Sequence, residues 1–326
     1  MDDGGTGGSG LLAMLGGALG GSFSHGTIIA YDYAGYMAEQ LDPFLTDAQL
    51  AAALVRHAGG LALAIRDRGL LALRDTAAQK SSVSDVVTAA DLAAESFVFA
   101  RLRRCRPEDS ILGEEGAGHS GTSARTWVID PVDGTYNFYS GSSYWCSALA
   151  LVDAPGTGPG ALPGSGPADG PADALADADV LLGAIYQPQE DKLWLGGTMH
   201  VATLNGNPIR VDARQQLDQL SAGTYIHPTW LAEPRAGLPW QRAAHRPATL
   251  RMLGSGSCDL GRVAQGELGT WFQHSAPAWD WLPGKGIVRA AGGDTAVVEV
   301  NGLHWFVAGP AGAVSELKAA LESGTL

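Results

Sequence analysis

Cysteine, basic residues and long apolar runs are what this sequence has least of. Its three cysteines, Cys105, Cys146 and Cys258, lie far apart without CxxC spacing, which argues against a disulfide framework and a zinc site and leaves them as buried thiols. Lysine and arginine number 21 against 34 acids, a net charge of −13. Such a surface repels a nucleic-acid backbone, whose binding rests on releasing counterions to cationic side chains, so nucleic acid is not an expected partner. The longest apolar stretch near the start, Leu11 to Leu19, is short, interrupted by glycine and preceded by Asp2 and Asp3. It suits neither a signal peptide nor a spanning helix, and a cytoplasmic protein with no membrane attachment is expected. There is no G-x-S-x-G elbow and no evident Cys/His pair, and the histidines fall into no H-x-x-x-H or H-E-x-x-H pattern.

What is present is 326 residues with 45% hydrophobic content, enough for one large domain or two. Residues 1–40 are rich in Gly and Ser, lack periodicity, and read as a flexible extension to which no function is assigned. Thr46 followed by Gln49 is a capping-box signal for a helix over 47–68, and a second helix is expected from Thr88 to before Pro107. Short strands are expected at 110–112, 126–129, 146–152, 180–186 and 192–195, with an Asn205-Gly206 hairpin turn ahead of a strand at 209–211. Residues 154–178 are nearly all Gly, Pro, Ala, Asp and Ser, a composition that cannot fill a core, and read as a long loop between strands. Later helices are expected at 257–267, 279–291 and 313–322. The mixed order of elements indicates a layered α/β class closer to α+β.

The densest chemical signal is Trp127-Val-Ile-Asp130-Pro-Val-Asp133-Gly134-Thr135, where an apolar strand delivers two aspartates into a turn. Hard cations such as Mg²⁺ take convergent oxygen ligands, here both carboxylates and the Val132 carbonyl. Gly134 and Thr135 would then open a short helix facing a phosphate. Read alone, the same residues are equally good turn chemistry. Glu114 and Glu115 form an adjacent acidic pair that needs solvent or a cation. Asp91 reads as a helix cap residue, and Asp280 as an acid in a first helical turn that tolerates Pro283. Trp279 and Trp281 read as packing residues, and Lys285 and Arg289 as a solvated helix face.

Taken together and in this order, KSSVSDVVTAAD (80–91), GEEG (113–116), WVIDPVDGTYNF (127–138) and WDWLPGKG (279–286) resemble the four signature segments of the inositol monophosphatase family. LNGNPIRV (204–211) and RMLGSGSCDL (251–260) are similar to lesser family stretches, and the likeness runs from residue 46 to 326. It implies an α-β-α-β-α sandwich and hydrolysis of a small phosphate monoester by a metal-activated water. Inositol monophosphate leads as substrate, ahead of histidinol phosphate, a 3′(2′),5′-bisphosphate nucleotide or fructose bisphosphate. By the same resemblance Glu114, Asp130 and the Val132 carbonyl hold one Mg²⁺ or Mn²⁺ ion, and Asp130, Asp133 and Asp280 a second, with a weaker third site at Glu114. Asp91 and Thr135 would activate water. Gly134, Thr135, Gly254, Ser255 and Gln273 would contact substrate, with Lys80, Asp85 and Glu115 in support. Lithium inhibition and a homodimer are further implications. Gln273 departs from the glutamate that inositol-preferring members carry seven residues before the last aspartate, here Asp280. A non-catalytic binding partner on a phosphatase scaffold is the alternative of a different class; the retained carboxylates Glu114, Asp130, Asp133 and Asp280 speak against it.

Overall fold

The computed structural model describes residues 44–75, 77–79, 86–154 and 175–324. The expected extension at 1–40, the expected supporting residues Lys80 and Asp85, and most of the 154–178 segment lie outside them.

The chain opens with α1 (Asp47–Asp67) and α2 (Leu70–Asp75), followed by a two-stranded ladder of β1 (Ala78–Gln79) and β2 (Val86–Val87) and then by α3 (Ala89–Cys105). Both long helices start at capping boxes. In α1 the Thr46 and Gln49 side chains reciprocally satisfy the free N–H groups of the first turn, and in α3 Thr88 and Asp91 do the same. By length and composition α1 would be apolar enough to cross a membrane, but its apolar stripe, Leu50, Leu54, Val55 and Leu61, is buried in the fold.

The strands β3 (Ser110–Gly113), β4 (Gly118–His119) and β5 (Arg125–Asp133) follow, then the short α4 (Thr135–Ser140), and then β6 (Cys146–Asp153), β7 (Asp179–Gln187), β8 (Lys192–Gly197), β9 (His200–Leu204) and β10 (Asn207–Pro208). These form an eight-stranded sheet in the order β10-β9-β8-β7-β6-β5-β3-β4, with β3 and β5 parallel and the other pairs antiparallel. Strand β5 is buried along nearly its whole length, which is why it reads as a continuous apolar run rather than an alternating one. The hairpin turn forms at Asn205-Gly206, both with positive φ as a type I′ turn needs. Its second strand is only Asn207–Pro208, not 209–211, because proline ends the ladder after one more bond, from Ile209 N–H to the Ala202 carbonyl.

Past this sheet come β11 (Ser221–Tyr225), α5 (Pro228–Leu231), α6 (Pro234–Ala244), β12 (Thr249–Arg251), α7 (Gly256–Ala264), β13 (Thr270–His274), α8 (Ala278–Ala290), β14 (Asp294–Val300), β15 (Leu303–Gly309) and α9 (Ala311–Glu322). The second sheet runs β12-β11-β13-β15-β14. Helices α1 and α3 cover one face of the large sheet, α7 and α8 fill the space between the sheets, and α9 with α6 closes the far side. This is the α-β-α-β-α sandwich. Its main core, with Trp194, Trp271, Trp281 and Phe306, lies between the sheets around α7 and α8.

Three local expectations are corrected here. Pro283 is the sixth residue of α8, not in its first turn, so it removes a helical hydrogen bond in the helix body. Lys285 is buried rather than solvated: its Nζ donates to the Ala176 and Ala178 carbonyls at 2.9 and 3.0 Å. And the end of the low-complexity loop does enter the core, with Leu175 and Ala176 packed in the main cluster.

The crossing of α8 over β7 is close. A Cβ on Gly183 would lie 2.1 Å from the Pro283 carbonyl oxygen, a backbone atom that cannot swing away. We expect Gly183→Ala to destabilise the protein by about 1–3 kcal/mol or more in denaturant unfolding. Gly69→Ala, whose Cβ would meet nothing nearer than 3.8 Å, stays within about 0.5 kcal/mol.

Candidate metal centre and active site

On a regular strand, residues three apart face opposite sides. Between Asp130 and Asp133 the pairing of β5 with β6 slips: Asp130 lies opposite Ala148 and Asp133 opposite Cys146, so three steps on β5 match two on β6. This bulge, at Pro131, turns both carboxylates to one side. Asp280, third residue of α8, joins them. One carboxylate oxygen of each of the three lies within 4.8 Å of the others.

Asp130 and Asp133 are fixed by hydrogen bonds to one oxygen each. Asp133 Oδ2 accepts from Ser255 Oγ at 2.8 Å and from the Ser257 N–H at 2.6 Å, with the Cys146 thiol at 3.7 Å, which leaves Oδ1 for a ligand. Asp130 Oδ1 accepts from the Val132 N–H, and the Thr135 hydroxyl donates to the Val132 carbonyl at 3.0 Å. The turn carrying Glu114 and Glu115 is anchored by buried Glu95, which accepts from the N–H groups of Glu115 and Ala117, both at 2.8 Å. Gly134 has φ +87°, and a Cβ there would come within 3.0 Å of the Gly254 carbonyl, so this turn and the start of α7 can meet only at a glycine.

Burial and like charge push these groups up together. Asp130 is raised well above the usual carboxylate range, first by burial and then by Glu114, Asp133 and Asp280; Glu114 is also within hydrogen-bonding reach of it. Asp133 is raised by burial, against the hydrogen bonds from Ser255 and Ser257. Asp91 is pushed to about 7 by burial, opposed by its bond from Thr88 and raised further by Glu114. Two carboxyl groups in such contact need either a shared proton or a cation between them.

Glu114, Asp130, Val132, Asp133, Gly134, Thr135, Gly254, Ser255, Gln273 and Asp280 all line one cavity of about 680 Å³. Asp91 is not among the lining residues; it is fully buried, with Oδ2 on Thr88 and Oδ1 without a hydrogen-bond partner. Asp91 and Thr135 are not bonded to each other; each is bonded within its own turn. Glu115 is not among the lining residues. Sequence reasoning missed Ser257 and Glu95, which hold ligands in place, and Asp259, which lines the cavity, accepts from the Tyr144 hydroxyl at 2.5 Å and is raised to about 8 by burial. Ser255 and Ser257 carried a signal, as serines around a helix start, with Ser255 capping α7. Asp259 and Glu95 carried none.

The profile of the inositol monophosphatase family matches residues 41–159 and 174–323. The chain belongs to this family. It is 30% identical over 227 residues to an inositol-1-monophosphatase of Rhizobium meliloti, covering 67% of this chain and 74% of that protein. To a Nus factor SuhB of Xylella fastidiosa it is 32% identical over 216 residues, 66% of this chain and 70% of that one. A fructose-1,6-bisphosphatase/inositol-1-monophosphatase of Thermotoga maritima is 27% identical over 221 residues, 67% of this chain and 74% of the relative. Among solved structures, the extragenic suppressor protein SuhB of Bartonella henselae superposes with a TM-score of 0.69 at 24% identity, over 84% of this chain and 98% of that one. This family member is a metal-dependent phosphomonoesterase, and its donor set, carboxylates with one carbonyl lining a single cavity, fits a hard divalent cation.

A pH dependence follows. Without a cation the raised carboxyls keep protons in the folded state that they lose near pH 4 when unfolded. The folded state then binds more protons, so stability falls as pH rises from about 4 to about 8. Thermal unfolding of chelator-treated protein should show a Tm that decreases across this window, and Mg²⁺ should raise Tm more at pH 8 than at pH 5.5. Equal Mg²⁺ effects at both would contradict the coupling.

Proposed function

We propose that the chain hydrolyses a small phosphate monoester with Mg²⁺ held by Glu114, Asp130, the Val132 carbonyl, Asp133 and Asp280. The observation that carries this is the convergence of the Asp130, Asp133 and Asp280 oxygens within 4.8 Å on the wall of a ligand-sized cavity. A cation of this type, when bound, lowers the pKa of water and offsets charge on phosphoryl oxygens. In the reaction the phosphorus–oxygen bond to the alcohol breaks, a water oxygen takes its place, and the alcohol leaves with a proton.

The chain's own residues serve this in distinct ways. By the family resemblance Asp91, raised to about 7 by burial and with Oδ1 unpartnered, would take the proton of the attacking water; being fully buried and off the cavity lining, it would receive it through an intervening group. The Thr135 hydroxyl, bound to the Val132 carbonyl, fixes the turn and offers its oxygen to the same water. Gly134 and Thr135 stand on the cavity wall where a phosphate meets the start of α4. Uncatalysed hydrolysis of phosphate monoesters is so slow that accelerations up to about 10²¹-fold are required, which explains a site built wholly around charge compensation.

Relatives' names put inositol monophosphate first among alcohol portions, with fructose bisphosphate beside it in the Thermotoga maritima protein. Gln273 on the cavity wall lacks the negative charge that the family resemblance assigns to ring hydroxyls at that position. The name Nus factor, borne by other relatives, suggests a role of a different kind. One variant tests the catalytic reading. We expect Asp133→Asn to fold as the wild type by circular dichroism and to lose more than about 100-fold in Mg²⁺-dependent phosphate release, beyond the 10–100-fold typical of an outer-shell change. Retained turnover in Asp133→Asn would contradict the catalytic reading.

A further inference from the structure

We infer that Glu95 is a positioning residue whose carboxylate sets the cation affinity of Glu114 and leaves that of the Asp130, Asp133 and Asp280 cluster to other supports. The inference rests on the metal-dependent phosphatase reading above. The oxygens of Asp130, Asp133 and Asp280 converge within 4.8 Å without Glu114, which comes within hydrogen-bonding reach of Asp130 from a separate turn. The cation centre therefore has two halves, and the fold supports them from different elements. Asp133 is held by the Ser255 hydroxyl and the Ser257 N–H of α7, and Asp130 by the Val132 N–H, supports that α3 does not supply.

The Glu114 half hangs on the turn between β3 and β4. Two backbone bonds close it, from the Gly113 N–H to the Ala117 carbonyl at 2.7 Å and from the Glu114 N–H to the Ile129 carbonyl at 3.1 Å, and Gly116 turns the chain with φ +105°. The N–H groups of Glu115 and Ala117 go instead to α3, one to each oxygen of Glu95. Glu95 is buried and follows Asp91 by four residues, which sets both acids on one face of α3. A Cβ on Gly113 would lie 2.4 Å from Glu95 Oε2, so the backbone just before Glu114 passes directly against this carboxylate.

The grip depends on two accepting oxygens. A carboxylate accepts on both, and N–H bonds to an ionised group are shorter and stronger than neutral ones. A carboxamide of the same shape has one accepting oxygen and an NH₂ that donates, so Glu95→Gln leaves one of the two N–H groups facing a donor. The turn then loses one of its two ties to α3, and Glu114 loses its fixed place beside Asp130.

The test is a Mn²⁺ titration of the metal-stripped full chain, with free Mn²⁺ read by electron paramagnetic resonance and Tm measured in chelator on the same samples. Wild type is compared with Glu95→Gln and Gly113→Ala, and Glu114→Gln marks the class of ion that Glu114 holds. Gly113→Ala reaches the same contact from the turn, its Cβ displacing the Glu95 carboxylate while α3 keeps its sequence. Near-ultraviolet circular dichroism shows which variants fold, and either one suffices. We expect two classes of Mn²⁺ in the wild type. Each variant should weaken the Glu114 class by about 10–100-fold, the range for outer-shell partners of metal ligands, and leave the other class unchanged. A merely structural Glu95 would lower Tm and leave both classes as in the wild type. That result, a single class in the wild type, or weakening of the other class or of both in the variants overturns this inference and leaves the phosphatase reading standing. A wild type that binds no Mn²⁺ overturns both.

Discussion

Like charges held together in a space with little water are the constraint on which the rest of this structure depends. Asp130 and Asp133 are buried, Asp280 is half-buried beside them, and Glu114 reaches Asp130 closely enough to share a proton. Desolvation and mutual repulsion both disfavour this arrangement as four separate anions. It becomes favourable when a divalent cation replaces the protons, so the fold stores a demand for a cation in its own geometry.

Holding such a cluster requires rigid support. The bulge at Pro131, in a strand buried along nearly its whole length, aims two carboxylates the same way, and the first turn of α7 clamps the rear oxygen of Asp133 with a hydroxyl and an N–H. Asp280 arrives on a helix packed so closely on the large sheet that only glycine fits at position 183. Glu95 reaches from α3 to pin the turn that presents Glu114. Five elements, β3, β5, α3, α7 and α8, therefore converge on one centre, which explains why the signature segments lie so far apart in the chain.

Much of this is legible in the amino-acid sequence. The capping boxes at Thr46 and Thr88, the apolar run into Asp130, and the Asn205-Gly206 turn are local signals, and local physics produces the elements they announce. The second sheet is not legible in the same way, because its strands β11 to β15 are short or only partly alternating, and their pairing is long-range. Lys285 looks like a solvated residue in the sequence because its partners are carbonyls at the end of a low-complexity loop, invisible to helical periodicity. Asp91 is legible as a cap but not as a buried group with a free oxygen facing a neighbouring acid, since burial is a property of the whole fold. Asp259 escapes notice for the same reason.

The central claim is that this carboxylate cluster is a cation site, and the measurement that tests it most directly is anomalous diffraction from crystals grown with Mn²⁺. The account predicts a strong peak bounded by the carboxylates of Asp130, Asp133 and Asp280, with Glu114 and the Val132 carbonyl beside it or a second peak. Ordered Asp130 and Asp133 with no peak between them, at Mn²⁺ concentrations that saturate activity, would contradict it.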